Sequence, residues 1–402
     1  MTAPRYPNGW PQGHTAATRP AWPGPLSTLD IVRILFSSSA GHGHLLPLFP
    51  LARAAARAGH AVAVQVAEQA RHLVEGQGLE LLAVGPSQAE LLTAVHQRTG
   101  VDLTRGFTPE AELDFFVGAR LDLAAESAVA QARDWKPDLV VHEMADFLGP
   151  FVAAALDVPA AMFSYGTRRP DERTEVLHQG ADPHYARHAL TRTPPIYYLD
   201  TCPPTLNYPD WQPPAPRLLL RPEPHTQPSA TFDPLPAKGS RPRVLVTFGT
   251  AFGSPQVVNP LLREIATLDV DILVTQGLST DAGFEAPTAN VHFVPFTPLS
   301  ALLADADAVV THGGAGTTLA TLALGLPLVV VPQGADQFRQ AERVTAVGAG
   351  LAVHQPGEVA AAVRLCLADS GIRAAAARLG REIAAMPPAA EVVEVLTATA
   401  AR

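Results

Sequence analysis

An α/β fold of two facing Rossmann-like domains, each with a parallel sheet and with a ligand cleft between them, is predicted by three features of the sequence. Strand-length apolar runs alternate with helix-period segments from residue 31 onward, a proline-dense stretch interrupts that alternation near its middle, and the pattern then restarts. The length agrees: 402 residues are too many for one ordinary core and suit two domains of nearly equal size.

Residues 1–28 carry proline, glycine and polar residues without an apolar h-region, which predicts a disordered lead-in rather than a signal peptide. The first domain, 29–202, opens with the apolar run 31–36 (IVRILF), the loop SSSAGHGH, and a helix that places Leu45, Leu48, Phe49, Ala52 and Ala56 on one face. Pro47 and Pro50 fall in its opening turns, where a missing amide hydrogen does least harm, and Gly59 ends it. Strands at 61–66 (AVAVQV) and 138–143 (DLVVHE) follow, the latter after a helical stretch around 119–134. Residues 203–242 hold 12 of the 39 prolines, which predicts an extended, fairly stiff linker without regular structure. The second domain, 243–402, repeats the alternation with strands at 243–248, 271–275, 291–294, 307–310 and 327–332, and its last helix is expected to pack back on the first domain. Open sheets of this kind bind ligands outside the carboxyl ends of their strands.

Composition limits the partners. Apolar residues make up 47% and charged residues 17%, enough to bury two cores, and a formal charge of −9 leaves no basic stripe for nucleic acid or anionic lipid. The two cysteines, Cys202 and Cys366, show neither zinc-site nor disulfide spacing, which fits a reducing cytoplasm. No run reaches the roughly 18 apolar residues that span a bilayer. A small molecule is the expected partner.

The densest chemical signal is 307–337, DAVVTHGGAGTTLATLALGLPLVVVPQGADQ. A buried strand ends at Thr311, and 312–316 (HGGAG) turns into a helix whose first residues are Thr317 and Thr318. Helix starts present unpaired amide hydrogens and the positive end of the dipole, and glycines let an anion come close to the backbone. His312 and Thr317 add donors there, so a pyrophosphate can be held without a metal. Two other phosphate motifs are excluded. No glycine loop ends in Gly-Lys-Ser/Thr, and Leu319 and Leu46 stand where a dinucleotide fingerprint beginning at Gly314 or Gly41 needs Gly or Ala.

This stretch, with Phe296-Thr297-Pro298 before it, resembles the donor-binding signature of the GT-B nucleotide-sugar-dependent glycosyltransferases of bacterial antibiotic and natural-product biosynthesis. A second tight match is Gly43-His44-Leu45-Leu46-Pro47, similar to that family's Gly-His-x-x-Pro. The resemblance implies that Phe296 meets the nucleobase, with backbone of Thr297 and Leu299 at its edge. His312, Gly314, Gly316 and Thr317 would surround the pyrophosphate, Asp336 and Gln337 would read the sugar hydroxyls, and Thr250 would face the same cleft. It implies no prosthetic group and no metal, only a nucleoside diphosphate sugar as co-substrate.

An alcohol is a weak nucleophile near pH 7, so a positioned base contributes on the order of 100- to 10,000-fold. Histidine suits this role, and the resemblance selects His44 over its neighbour His42. Glu143, at the end of the strand 138–143, is the expected carboxylate on the other imidazole nitrogen, by the logic of catalytic triads; the family more often has Asp there. Asp146 is the substitute if Glu143 points away. Together these groups imply a single displacement with inversion at the anomeric carbon.

Three other classes compete. A GT-B epimerase needs no acceptor pocket, whereas the aromatic and apolar content of 113–165 (DFF, FLGPF, MFSY) predicts an acceptor wall. A non-catalytic nucleotide-sugar-binding protein has no use for His44. A nicotinamide oxidoreductase would use Glu68 as its ribose acid, against the sixth residue of both glycine loops. The expected partners are thus the nucleotide sugar and a small hydrophobic aglycone, with a homodimer as the oligomeric option. One departure bears on the nucleotide: uridine-using relatives carry a ribose-gripping glutamate where this chain has Ala320. That predicts a thymidine diphosphate donor, and a shift toward uridine in Ala320→Glu.

Overall fold

The computed structural model describes residues 31–400 apart from 104, 105, 107, 169–171, 225–231, 233, 250, 251, 278–282, 296 and 356. The predicted lead-in at 1–28, Thr250 and Phe296 therefore lie outside the described residues.

The first sheet has seven parallel strands: β1 (Arg33–Ser37), β2 (Ala61–Val66), β3 (Glu80–Ala83), β4 (Leu139–Glu143), β5 (Ala160–Ser164), β6 (Tyr197–Asp200) and β7 (Arg217–Leu219). Their order is β3-β2-β1-β4-β5-β6-β7. The second has six: β8 (Arg243–Thr247), β9 (Asp271–Thr275), β10 (Val291–Val294), β11 (Ala308–Thr311), β12 (Leu328–Val330) and β13 (Gly350–Ala352), in the order β10-β9-β8-β11-β12-β13. The central strands β4 and β8 are buried along their whole length, as continuous apolar runs in a sheet covered on both faces must be. In each sheet the chain order reverses at one place, between β1 and β4 and between β8 and β11, and such switch points open a crevice at the carboxyl edge.

Helix Phe49–Arg57 buries Leu51, Ala52 and Ala55, while Ala56, expected on that face, is exposed. The tighter turn Leu46–Leu48 precedes it, and three residues per turn instead of 3.6 advance the phase of the helix. The linker also differs from expectation, because Arg217–Leu219 within it pairs with β6 as the edge strand of the first sheet. Arg217 reaches buried Asp200 at 2.7 Å, and Cys202 N–H donates to the same carboxylate at 2.9 Å, so an ion pair ties the strand down despite the surrounding prolines. The last helix, Ala389–Ala400, buries Ala389, Val392, Val393 and Leu396 in the same core as Ile34, Phe49 and Ala52 of the first half. Among the described residues no single helix is long and apolar enough to cross a membrane. Cys202 and Cys366 are buried and unpaired.

Candidate active site

The carboxyl ends of β1, β4 and β5, adjacent in the sheet, gather three polar side chains. The loop after β1 closes into the short helix His42–Leu45 over Gly41, whose carbonyl accepts from His44 N–H at 3.0 Å. Glu143 is the last residue of β4, and Tyr165 follows β5 directly. His44 Nδ1 lies 3.1 Å from Glu143 Oε1 and 2.6 Å from the Tyr165 hydroxyl, which itself donates to Glu143 Oε2 at 3.3 Å. Glu143 is fully buried and accepts further bonds from Ser39 Oγ (3.3 Å) and Ala145 N–H (2.7 Å). Four donors thus satisfy the two carboxylate oxygens, as a buried charge requires.

Burial alone would raise the Glu143 carboxyl. The His44 charge and hydrogen bond, the Ala145 amide and the Arg120 charge outweigh it and hold the group at about 2. An ionised carboxylate only accepts, so the facing Nδ1 of His44 carries the hydrogen and Nε2 keeps the lone pair. Burial pulls the His44 imidazole down, but the charge and hydrogen bond of Glu143, with the Asp336 charge, carry it above its ordinary value against Arg120. His44 keeps 29% of its side chain exposed, which gives a basic nitrogen access to a ligand. His42 has a different setting, lowered by burial and by His72. Asp146 is engaged elsewhere, pairing with buried Arg120 at 2.9 Å and accepting from Gly149 N–H at the start of helix Leu148–Leu156.

Of the expected acceptor wall, the Phe115–Phe116 pair stands beside His44, with the Phe116 ring 6.2 Å from the imidazole. Both are half-buried and lie in a π-helical turn, Asp114–Gly118, a widened geometry that recurs at functional sites. Phe147, Phe151 and Phe163 do not belong to that wall; they are buried in the cores on either side of the first sheet, and Met162 is buried as well. FLGPF and the first three residues of MFSY lie in a buried helix start and strand, which accounts for their apolar content; Tyr165 lies beyond the strand, against His44.

The second sheet mirrors this arrangement. Gly249 after β8 and His312 after β11 are brought together by the register Thr247↔Thr311. Helix Ala315–Ala323 starts two residues earlier than the sequence suggested, with Gly314 at its N-cap and no side chain capping it, so the first-turn amides are left for another acceptor. A β-carbon on Gly314 would stand 2.6 Å from His312 Nε2, so glycine is what lets the imidazole lie across the helix start. Burial lowers His312 to about 4, only partly offset by Asp336 and a backbone hydrogen bond with Thr247, so the ring is neutral at pH 7. The Phe252 ring stacks on it at 5.3 Å. Gly316 is exposed and Thr317 half-buried in the first turn.

Gly166, at φ +76°, closes the distance between the two halves of the site. A β-carbon there would meet Ala315 Cβ at 2.8 Å, so the loop carrying Tyr165 rests directly on the start of helix Ala315–Ala323. The Asp336 charge raises His44, Tyr165 and His312 alike. Gln337 is 2% exposed and its Oε1 accepts from the amides of Gln333 and Gly334, so it braces the preceding turn. Thr297 is buried with its hydroxyl on Pro295 O, and Leu299 begins helix Leu299–Ala304. Ala320 is 5% exposed and packed in the core of the second domain, where a glutamate would bury a carboxylate, so that swap is a packing change whatever else it does. Glu68 is 64% exposed and paired with Arg71, far from the setting of a ribose acid. Among the described residues no group of His, Cys, Asp or Glu is arranged to hold a metal.

Comparison with known proteins agrees over nearly the whole chain. Residues 53–249 match the N-terminal domain, and residues 259–399 the C-terminal domain, of the family described as erythromycin biosynthesis protein CIII-like. The L-demethylnoviosyl transferase of Streptomyces niveus is 33% identical, the match covering 91% of this chain and 98% of that protein. The crystal structure of the glycosyltransferase SnogD from Streptomyces nogalater superposes with a TM-score of 0.76 at 32% identity, covering 92% of this chain and 100% of that one. The glycosyltransferase SsfS6 of Streptomyces sp. SF2575, complexed with thymidine diphosphate, gives 0.76 at 28% identity, covering 91% and 99%.

Proposed function

Since this chain belongs to the erythromycin biosynthesis protein CIII-like family and is a glycosyltransferase of GT-B fold, we propose that it moves a sugar, of the deoxyhexose class, from thymidine diphosphate to a hydroxyl of a hydrophobic aglycone with inversion. The observation that carries this reading is the His44–Glu143 pair at the mouth of the first sheet, opposite an uncapped helix start in the second.

In this reading the acceptor oxygen attacks the anomeric carbon as His44 Nε2 takes its proton. The bond from that carbon to the β-phosphate oxygen breaks, and the diphosphate leaves toward the amides of Ala315, Gly316 and Thr317 and toward His312. Glu143 stabilises the imidazolium that forms. One displacement inverts the configuration. Phe115 and Phe116 supply the apolar side against which an aglycone rests.

The test is product analysis with nucleotide sugar and a panel of hydrophobic alcohols. Glycoside of inverted configuration is expected; isomerised sugar without acceptor, or a retained configuration, contradicts the reading. Helix amides and a neutral imidazole supply the field for the leaving group, so turnover should survive chelator at its full rate. Complete loss in chelator, restored by magnesium or manganese, would contradict that.

Thymidine is supported by Ala320, which offers no acceptor to a ribose 2′-hydroxyl, and by the thymidine diphosphate in SsfS6. A site without that acceptor loses little when the hydroxyl is absent. Competition binding should favour thymidine diphosphate over uridine diphosphate; a clear preference for the uridine compound overturns the assignment.

A further inference from the structure

The nearest polar atom to His44 Nδ1 among its partners is the phenol oxygen of Tyr165, at 2.6 Å, nearer than the carboxylate at 3.1 Å. We propose that Tyr165 is the positioning residue of the base: its oxygen accepts from His44 Nδ1–H while its own hydrogen goes to Glu143 Oε2, closing a three-member network that holds the imidazole in the tautomer with a basic Nε2. The proposal rests on His44 as the base.

The directions of the bonds follow from what each group can do. Glu143, ionised, only accepts, so the Tyr165 hydrogen must point at it, and the phenol oxygen is then left to accept from Nδ1–H. Burial, with the charges of Glu143 and Asp336, pushes the phenol well above its ordinary value, so it stays a donor throughout the working range. The ring meets the imidazole edge-on at 5.5 Å and 82°, which restricts rotation of His44. Tyr165 itself is 8% exposed and cannot swing: it follows β5, and the next residue, Gly166, is pressed on Ala315. Without the hydroxyl, Nδ1–H keeps only the carboxylate at 3.1 Å as acceptor, and the imidazole loses its shortest hydrogen bond and with it part of what fixes its orientation.

Tyr165→Phe keeps the ring and removes only the oxygen. We expect kcat to fall about 10-fold, the scale of one hydrogen bond to a charged network, with nucleoside diphosphate binding unchanged. In a Glu143→Gln background the same substitution should cost less than about 3-fold, because the two groups act as one unit. A wild-type kcat in Tyr165→Phe, or losses that multiply fully in the double variant, overturns the proposal. His44→Ala separates the two claims: if it abolishes turnover while Tyr165→Phe does not alter it, only the role of Tyr165 fails, whereas an active His44→Ala removes the base itself.

Discussion

Replacing His44 with alanine is expected to lower kcat by about 100-fold or more, the usual contribution of a positioned base, while nucleoside diphosphate binds as before. The two effects separate because the imidazole belongs to the first sheet, after β1, whereas the proposed diphosphate site is the helix start at Ala315 after β11. The lost contribution is proton transfer alone. The variant should bind donor with wild-type affinity by calorimetry and show the loss in single-turnover assays. Glu143→Ala should cost less, since the imidazole survives and loses its orientation and the charge that raises it. A His44→Ala enzyme turning over at the wild-type rate would contradict the mechanism.

The opposite signature is expected of His312→Ala. Its ring lies across the first turn of helix Ala315–Ala323 between Gly249 and Gly314, and it is kept neutral, at about 4, mainly by burial. A neutral donor in a dry site stabilises departing charge without an opposing counter-ion, so its loss should reduce kcat/KM by about 100-fold, as for a single oxyanion donor. Both parameters should move, KM upward and kcat downward. A rise in KM with kcat intact means that the ring binds donor and transition state equally and takes no part in departure. The loss should be the same at any divalent-ion concentration.

The sequence was most informative where physical constraint is local. The strands at 61–66, 271–275 and 291–294 have the bounds read from their apolar runs: the first two are almost wholly buried, and the edge strand 291–294 still carries three apolar residues in four. The edge strands β3, β7 and β13, of three or four residues and partly exposed, carry no such pattern and went unread. β5 and β6 went unread as well. The omission of β5 is what hid Tyr165: a tyrosine just past an unrecognised strand has no assigned place, and the same omission turned Met162 and Phe163 from core into wall. The pair His44–Glu143 was legible because each ends a recognisable strand–loop unit and the strands of such units lie side by side at a switch point. That Gln337 would brace a turn, and that the Asp336 charge would act on His44 and His312 together, depends on contacts between segments remote in sequence or on the choice among rotamers, which residue spacing does not encode.

The central claim is that His44, raised above its ordinary value by ionised Glu143, accepts the acceptor's proton, and it is tested most directly by the pH dependence of kcat/KM in the wild type and in Glu143→Gln. A base must be neutral to work, so activity should climb with pH through the His44 value, on a limb lying above the unperturbed imidazole. Removing the carboxylate charge removes the largest influence that raises the ring. Burial and Arg120 then act with less opposition, and the limb should move to lower pH while the plateau falls. A limb at the same pH in both enzymes would show that the titrating group is not an imidazole facing Glu143, and would contradict the account.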